Sequence, residues 1–169
     1  MKNQYLFLWV AAMCSSMVLH AQKMFCGMYE LPTEAKISAA THIFEGEVID
    51  AESFWAEDSS MIYTAYRLAV FKVFKGGVFT SNVQLIVQGG RVGYDLVHLT
   101  SNLELSVGSM GVFLCQPVSR FPSGKSAWGS SFEVYASKQG FFQYDPVSLI
   151  ATDVFHVFPN PLFVYDLLG

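Results

Sequence analysis

The side chains in this sequence that could do chemistry do not stand at the spacings that enzymes and metal sites use. Downstream of residue 21 the histidines are His42, His98 and His156, and none belongs to an HExxH pattern or has a cysteine neighbour that would indicate zinc. Residues 108–111 read GSMG, which is not the GxSxG nucleophile elbow. Residues 119–126 (SRFPSGKS) come close to a phosphate-binding loop, but serine replaces its first glycine. The sequence therefore predicts a protein that is not an enzyme and holds no metal or other cofactor.

Four carboxylates lie around one short polar segment. Asp50 and Glu52 precede Trp55, and Glu57 and Asp58 follow it. A calcium site needs several oxygen ligands at short regular intervals, whereas these four are scattered. A solvated loop over residues 52–60 is therefore the better interpretation, with Trp55 as an exposed side chain available for binding.

The first 21 residues have the pattern of a signal peptide. Lys2 is followed by an apolar run over residues 5–19, and Ala21 precedes Gln22. A membrane anchor is the alternative, but a bilayer span needs about 20 apolar residues and this run is shorter. A lipoprotein form modified at Cys14 is a further alternative. We expect a secreted or cell-surface protein, cleaved near Ala21 and without a membrane span after processing.

Cleavage at that position can be checked directly. The protein recovered from its native host should begin near Gln22, because the apolar run behind Lys2 is typical of an exported chain. N-terminal sequencing measures this, and a protein that retains Met1 would contradict the predicted localisation.

Two cysteines remain downstream of the predicted cleavage site, Cys26 and Cys115. In an exported chain they could form one disulfide that closes a long loop. They could equally be two buried free thiols. The sequence leaves both possibilities open.

The composition and the apolar pattern indicate a well-packed β domain. The chain has 15 phenylalanines and 8 tyrosines, and its net charge of −4 makes a nucleic-acid partner improbable. Residues 61–77 form a long strand that is apolar on both faces, and such a strand should be bent and covered on both sides, as in a small barrel. Further strands are predicted over residues 41–51, 83–88 and 110–118.

The rest of the chain has less regular patterns. A short helix is predicted over residues 34–40, and residues 91–100 form a strand or an irregular ribbon. Residues 131–137 and 139–144 are expected to pair as a hairpin around Lys138. The domain organisation that follows is a signal peptide (1–21), a lead-in with the short helix (22–40), a barrel (41–145) and an apolar tail (146–169) that we expect to be truncated.

Four motifs together resemble the netrin-like domain of tissue inhibitors of metalloproteinases, and the same pattern is similar to N-terminal modules of bacterial surface proteins exported by the type IX pathway. The motifs are Ala39-x-x-x-Ile43-Phe44-x-Gly46-x-Val48, Tyr63-x-x-Tyr66, Val70-x-x-Val73-Phe74-Lys75-Gly76 and Gly108-x-x-Gly111-Val112-Phe113-Leu114. The resemblance covers about residues 39–116. It implies an all-β fold, a small OB-like barrel of five or six strands with one short helix.

The end of the chain adds a second, weaker pattern. Residues 157–161 (VFPNP) are similar to the start of a type IX sorting domain, and residues 164–169 resemble a later strand of one. The residues that usually lie between these two segments are missing. A chance match in an apolar tail is the alternative.

The expected function is that of an exported, non-catalytic binding or accessory module of a larger cell-surface or secreted protein. OB barrels bind ligands through loops beside one face, so the candidate contacts are Trp55, Arg91 and Tyr94, and the partner would be a protein or a glycan at the cell surface. The alternative is a protease inhibitor that acts through the segment around Cys26. The family's inhibitors chelate zinc with a mature N-terminal cysteine, whereas Cys26 lies four residues inside the predicted terminus, so we expect no such inhibition.

Overall fold

The computed structural model describes residues 28–77, 80–122, 124 and 126–169, with the side chain of Ser126 excepted. The predicted signal peptide and Cys26 lie outside the described residues. The two α-helices are α1 (Thr33–Ala39) and α2 (Pro161–Leu168). The strands are β1 (His42–Trp55), β2 (Ile62–Lys75), β3 (Asn82–Gln88), β4 (Gly90–Val92), β5 (Asp95–Val97), β6 (Met110–Pro117), β7 (Ser131–Val134), β8 (Phe141–Tyr144), β9 (Ala151–Thr152) and β10 (Val157–Phe158).

Five of these strands close into a barrel. They follow the order β1-β2-β3-β7-β6, and β6 pairs back onto β1 to complete the ring. The β3–β7 pair is parallel, and the other pairs of the ring are antiparallel. The predicted fold, a mostly β, OB-like five-stranded barrel, is confirmed. The structure adds α2, which the sequence did not predict.

The long strands β1 and β2 pair along almost their whole length. Their register shifts at three places, and a bulge at such a shift increases the local twist. Gly46 lies at one of them, where a Cβ atom would stand 2.5 Å from the carbonyl oxygen of Ala69. Only glycine fits there. The prediction that both faces of this strand are buried is wrong towards the C-terminal end of β2, where the side chains of Phe71 and Val73 are exposed.

The barrel interior forms the first of two cores. Its side chains come from all five strands of the ring, from Leu103 in the connection between β5 and β6, and from β8. The buried members are Phe44, Val48, Leu68, Val83, Leu85, Leu103, Phe113, Cys115, Phe132 and Phe141. Burial raises the pKa of the Cys115 thiol well above its usual value, so it is protonated at neutral pH. The disulfide between Cys26 and Cys115 stays a prediction, because Cys26 lies outside the described residues.

The second core lies on the outside of the barrel and is built largely from the C-terminal segment. The β8 strand continues through β9 to β10 as an extension of the sheet. The buried members of this second core are Ala40, Ile43, Val112, Leu114, Phe142, Tyr144, Ala151, Phe158 and Val164. The Tyr165 hydroxyl of α2 donates to Glu45 Oε2 of β1 at 2.7 Å. Residues 146–169, predicted as an apolar tail, thus pack against the barrel, and the strand suggested for residues 164–169 is wrong because α2 continues to Leu168.

Three local predictions are also corrected. The expected hairpin around Lys138 is absent among the described residues: β7 and β8 both pair with β6, at successive positions along the same edge. A short 3₁₀ turn, Ser137–Gly140, takes the chain from one to the other. The polar loop predicted over residues 52–60 is shorter, because β1 continues to Trp55. Residues 91–100 contribute to a small hairpin, β4–β5, in place of one strand.

A buried ion pair joins α1 to the C-terminal segment. Lys36 Nζ lies 3.0 Å from Asp153 Oδ2, and both side chains are fully buried. The ammonium also donates to the Gln139 carbonyl at 3.1 Å. His156 extends the pair towards the surface, since its Nδ1 lies 3.1 Å from Asp153 and its Nε2 lies 3.1 Å from Glu30. These contacts fix residues 153–156 against the first helix.

Candidate functional site

The β1–β2 loop (residues 56–61) and the β6–β7 loop (residues 118–130) stand at the two sides of a surface groove. The groove has a volume of about 700 Å³. OB barrels use the equivalent two loops and the adjoining strand face to bind ligands. Its described lining residues are Phe54, Trp55, Glu57, Asp58, Phe121, Pro122 and Gly124.

Aromatic rings form one wall of this groove. Phe54 of β1 and Tyr63 of β2 are direct cross-strand partners, so they share one face of the sheet, with ring centroids 6.2 Å apart. Phe121 of the β6–β7 loop packs on Tyr63 at 5.5 Å. Trp55 ends β1 beside them and remains 38% exposed. Phe54, Trp55 and Phe121 therefore place aromatic surface in the groove, and Tyr63, which does not line it, packs against two of these rings.

Two carboxylates form part of the rim of this groove. Glu57 and Asp58 lie in the tight β1–β2 loop, where Ser59 has a left-handed backbone (φ 55°). The side chain and backbone N–H of Ser60 donate to Asp58 and lower the pKa of its carboxyl. The rim therefore carries negative charge at neutral and mildly acidic pH, next to aromatic surface that suits the flat or apolar part of a ligand.

The β6–β7 loop also covers part of the outer face of β2 and β3. A Cβ atom on Gly124 would collide with the side chains of Gln84 and Ile86. Gln84 Nε2 donates to the Gly129 carbonyl at 3.2 Å, and the Arg67 guanidinium lies over the Trp128 ring at 5.5 Å. The β6–β7 loop thus covers part of the strand face that other OB barrels offer to extended polymers. The groove lies beside this covered face and is open.

The three site residues predicted from the sequence separate into two places. Trp55 lines the groove. Arg91 and Tyr94 lie on the β4–β5 hairpin, and neither lines the groove. The Arg91 backbone N–H donates to Ser53 Oγ at 3.2 Å, which attaches the hairpin to β1, and Tyr94 is fully exposed at the hairpin turn.

Phe121 lines the groove but does not stand out in the sequence as a site residue. It belongs to the segment 119–126, which reads as an imperfect phosphate-binding loop. The available signal was the Phe121-Pro122 pair in an otherwise Gly- and Ser-rich loop. Its position beside Trp55 follows only once the barrel topology is known.

A second groove, of about 520 Å³, lies between the β5–β6 connection and the β8–β9 strands. One of its lining residues, His98, places Nδ1 3.1 Å from Oε1 of Glu104, and both side chains are largely exposed. No serine, threonine or cysteine is seen hydrogen-bonded to either group among the described residues, so the pair does not form a nucleophile with its base.

The part of the chain that the structure describes contains no group of three or more His, Cys, Asp or Glu side chains placed to hold a metal ion.

Within those same residues, no helix has the length and apolar character needed to cross a membrane.

Comparison with known proteins gives no family to which the chain could be assigned: no protein-family model matches it, and no curated protein matches it.

Proposed function

We propose that this protein is an exported, non-catalytic binding or accessory module of a larger cell-surface or secreted protein. The observation that carries the proposal is the groove between the β1–β2 and β6–β7 loops, which is lined by aromatic rings and by two carboxylates. Exposed aromatic side chains in a concave site are frequent anchors of binding energy. Export rests on the signal-peptide pattern of the first 21 residues.

The partner we favour is a segment of another protein. Glu57 and Asp58 favour a ligand with positive charge, which peptides carry on lysine and arginine and which neutral glycans lack. The rings of Phe54, Trp55 and Phe121 supply apolar contact to the adjoining side chains. A cell-surface glycan stacked on Trp55 is the competing partner, and the experiment below distinguishes the two.

The netrin-like resemblance supports the same proposal. Netrin-like domains are built on an OB-type five-stranded barrel, and this chain forms a barrel of that kind. The resemblance to modules of type IX-exported surface proteins adds a cellular context. Inhibition of metalloproteinases, the alternative activity, depends on Cys26 and draws no support from the groove.

Peptide and glycan arrays probed with the purified protein test this function. We expect binding to peptides that combine basic and apolar residues, and we expect Trp55→Ala to weaken it by about tenfold or more, because a truncated aromatic anchor commonly costs over 1 kcal/mol. Phe71→Ala is the matched control, since Phe71 is an exposed ring on β2 that does not line the groove.

Each alternative result has a definite meaning. Binding confined to glycans and lost in Trp55→Ala would replace the protein partner by a glycan. Binding that is equal in the wild type, Trp55→Ala and Phe71→Ala would show that the groove is not the binding site.

A further inference from the structure

A cleft beside the groove opens where β3 and β7 separate. The two strands pair in parallel only at Gln84–Ser131 and Leu85–Phe132, and beyond these positions they diverge while β7 stays paired with β6. The resulting cleft has a volume of about 240 Å³. Its described lining residues are Ile86, Val87, Gln88, Asn102, Leu103, Arg120, Phe121, Glu133, Val134 and Ser137.

Glu133 lines this cleft and has a buried, incompletely satisfied carboxylate. Its side chain is only 2% exposed. Gln116 Nε2 donates to Oε1, but no described residue donates to Oε2, although that oxygen is buried. A carboxylate oxygen without a donor is costly in a protein interior. A ligand that supplies the missing donor would recover that cost.

Arg120 shows what kind of donor fits the cleft. Its Nε lies 3.6 Å from Glu133 Oε1, longer than a hydrogen bond, and its side chain is 73% exposed. The guanidinium also lies 5.6 Å from the centre of the Phe121 ring. A guanidinium therefore already stands at the mouth of the cleft, loosely held, and a better-placed one could displace it.

We propose that this cleft is a recognition pocket for an arginine side chain of the partner protein. A guanidinium presents two parallel N–H donors that match both oxygens of one carboxylate, and its flat face stacks on an aromatic ring. Glu133 provides the carboxylate and Phe121 the ring. A metal ion fits less well, because among the described residues Glu133 belongs to no group of three or more His, Cys, Asp or Glu side chains that could hold one.

This inference deepens the proposed function and rests on it for the claim that the arginine belongs to a protein segment. Phe121 lines both the cleft and the groove, so the two are adjacent parts of one surface. An extended segment could place its arginine on Glu133 and its neighbouring residues along Phe54 and Trp55. The negative rim at Glu57 and Asp58 would suit a second basic residue.

Titration of the ¹⁵N-labelled protein with Nα-acetyl-arginine amide, followed by NMR, tests the cleft separately from the groove. We expect saturable shifts at residues lining the cleft, and none with Nα-acetyl-citrulline amide, which has the same shape but no charge. Glu133→Gln should weaken binding at least about tenfold, because it removes the charge from a charge-assisted bidentate contact. Glu34→Gln, on exposed α1, is the matched control and should change nothing.

A second variant makes the test independent of whether Glu133→Gln folds. Arg120→Ala removes the resident guanidinium and should tighten binding severalfold, since a mostly exposed ion pair is a weak competitor. Three results would each overturn the inference. The arginine amide could fail to bind both the wild type and Arg120→Ala, the citrulline amide could bind as tightly as the arginine amide, or a folded Glu133→Gln could keep the wild-type affinity. Trp55→Ala should bind the arginine amide normally. If the arginine amide does not bind, while binding of the array ligands still requires Trp55, the cleft is not an arginine pocket and the proposed function stands.

Discussion

Asp153→Asn is expected to lower the free energy of unfolding by about 3–5 kcal/mol, the cost of breaking a buried ion pair and leaving one charge without its partner. The Lys36 ammonium would keep neutral neighbours, the Gln139 carbonyl and the Phe142 ring among them, but would lose the negative charge that balances it. Urea denaturation of the purified protein measures the change. Because residues 153–156 hold the C-terminal segment against α1, we expect the second core to loosen first.

A double-mutant cycle provides the control for that prediction. Lys36→Met alone should also destabilise, since it leaves the Asp153 carboxylate buried without its cation. The combined variant, Lys36→Met with Asp153→Asn, should lose clearly less than the sum of the two single changes, because no uncompensated charge remains. Strictly additive losses would show that the two groups do not interact.

The same pair gives an expected pH dependence. Burial by itself would raise the pKa of Asp153, but the backbone N–H groups of Phe155 and His156 and the Lys36 ammonium outweigh burial and lower it below its usual value. A carboxyl whose pKa is lower in the folded than in the unfolded state stabilises the protein at every pH above its unfolded pKa, about 3.9. This contribution is lost as the pH falls from there through the pKa of the folded state. Wild-type stability should therefore drop below about pH 4, and Asp153→Asn should show a shallower acid decline.

Leu68→Ala is expected to destabilise the protein by about 2–5 kcal/mol, because Leu68 is fully buried in the barrel interior and its removal leaves a cavity. Val112→Ala tests the second core in the same way, on the outer side of the barrel. Val147→Ala is the control, since that side chain is 91% exposed and should change stability little. If the denaturation midpoints of both core variants equal that of the wild type, the strand assignments are wrong.

The parts of the fold that the sequence predicted are those governed by local patterns. Residues 61–77 are rich in β-branched and aromatic residues, with no Gly or Pro before Gly76, and they form β2 almost as expected. The short helix expected over residues 34–40 forms as α1, one residue earlier at both ends.

The parts that the sequence did not predict depend on contacts between distant residues. The β7 and β8 segments each have a strand pattern, but nothing local says that both pair with β6, with a turn between them at a left-handed Ala136 (φ 58°). The pairing of Lys36 with Asp153 joins residues 117 positions apart. Glu133 looks like an ordinary strand carboxylate until the separation of β3 and β7 is seen.

The same reasoning explains the outcome for the binding surface. Trp55 could be selected because a tryptophan in a polar, acidic segment is unusual. Phe121 could not, because its place beside Tyr63 depends on how the barrel brings two distant loops together. Arg91 and Tyr94 are candidates because they lie in a loop expected beside the binding face, but the sequence does not say which loops share one surface, and neither residue lines the groove.

The most direct test of the binding function is the dissociation constant of the strongest array ligand for Phe121→Ala. Phe121 lines both the groove and the cleft, so its loss should weaken binding by about 2 kcal/mol, roughly thirtyfold, while Phe71→Ala leaves the affinity unchanged. Equal dissociation constants for the wild type and a folded Phe121→Ala would contradict the account, because the ligand would then bind elsewhere on the molecule.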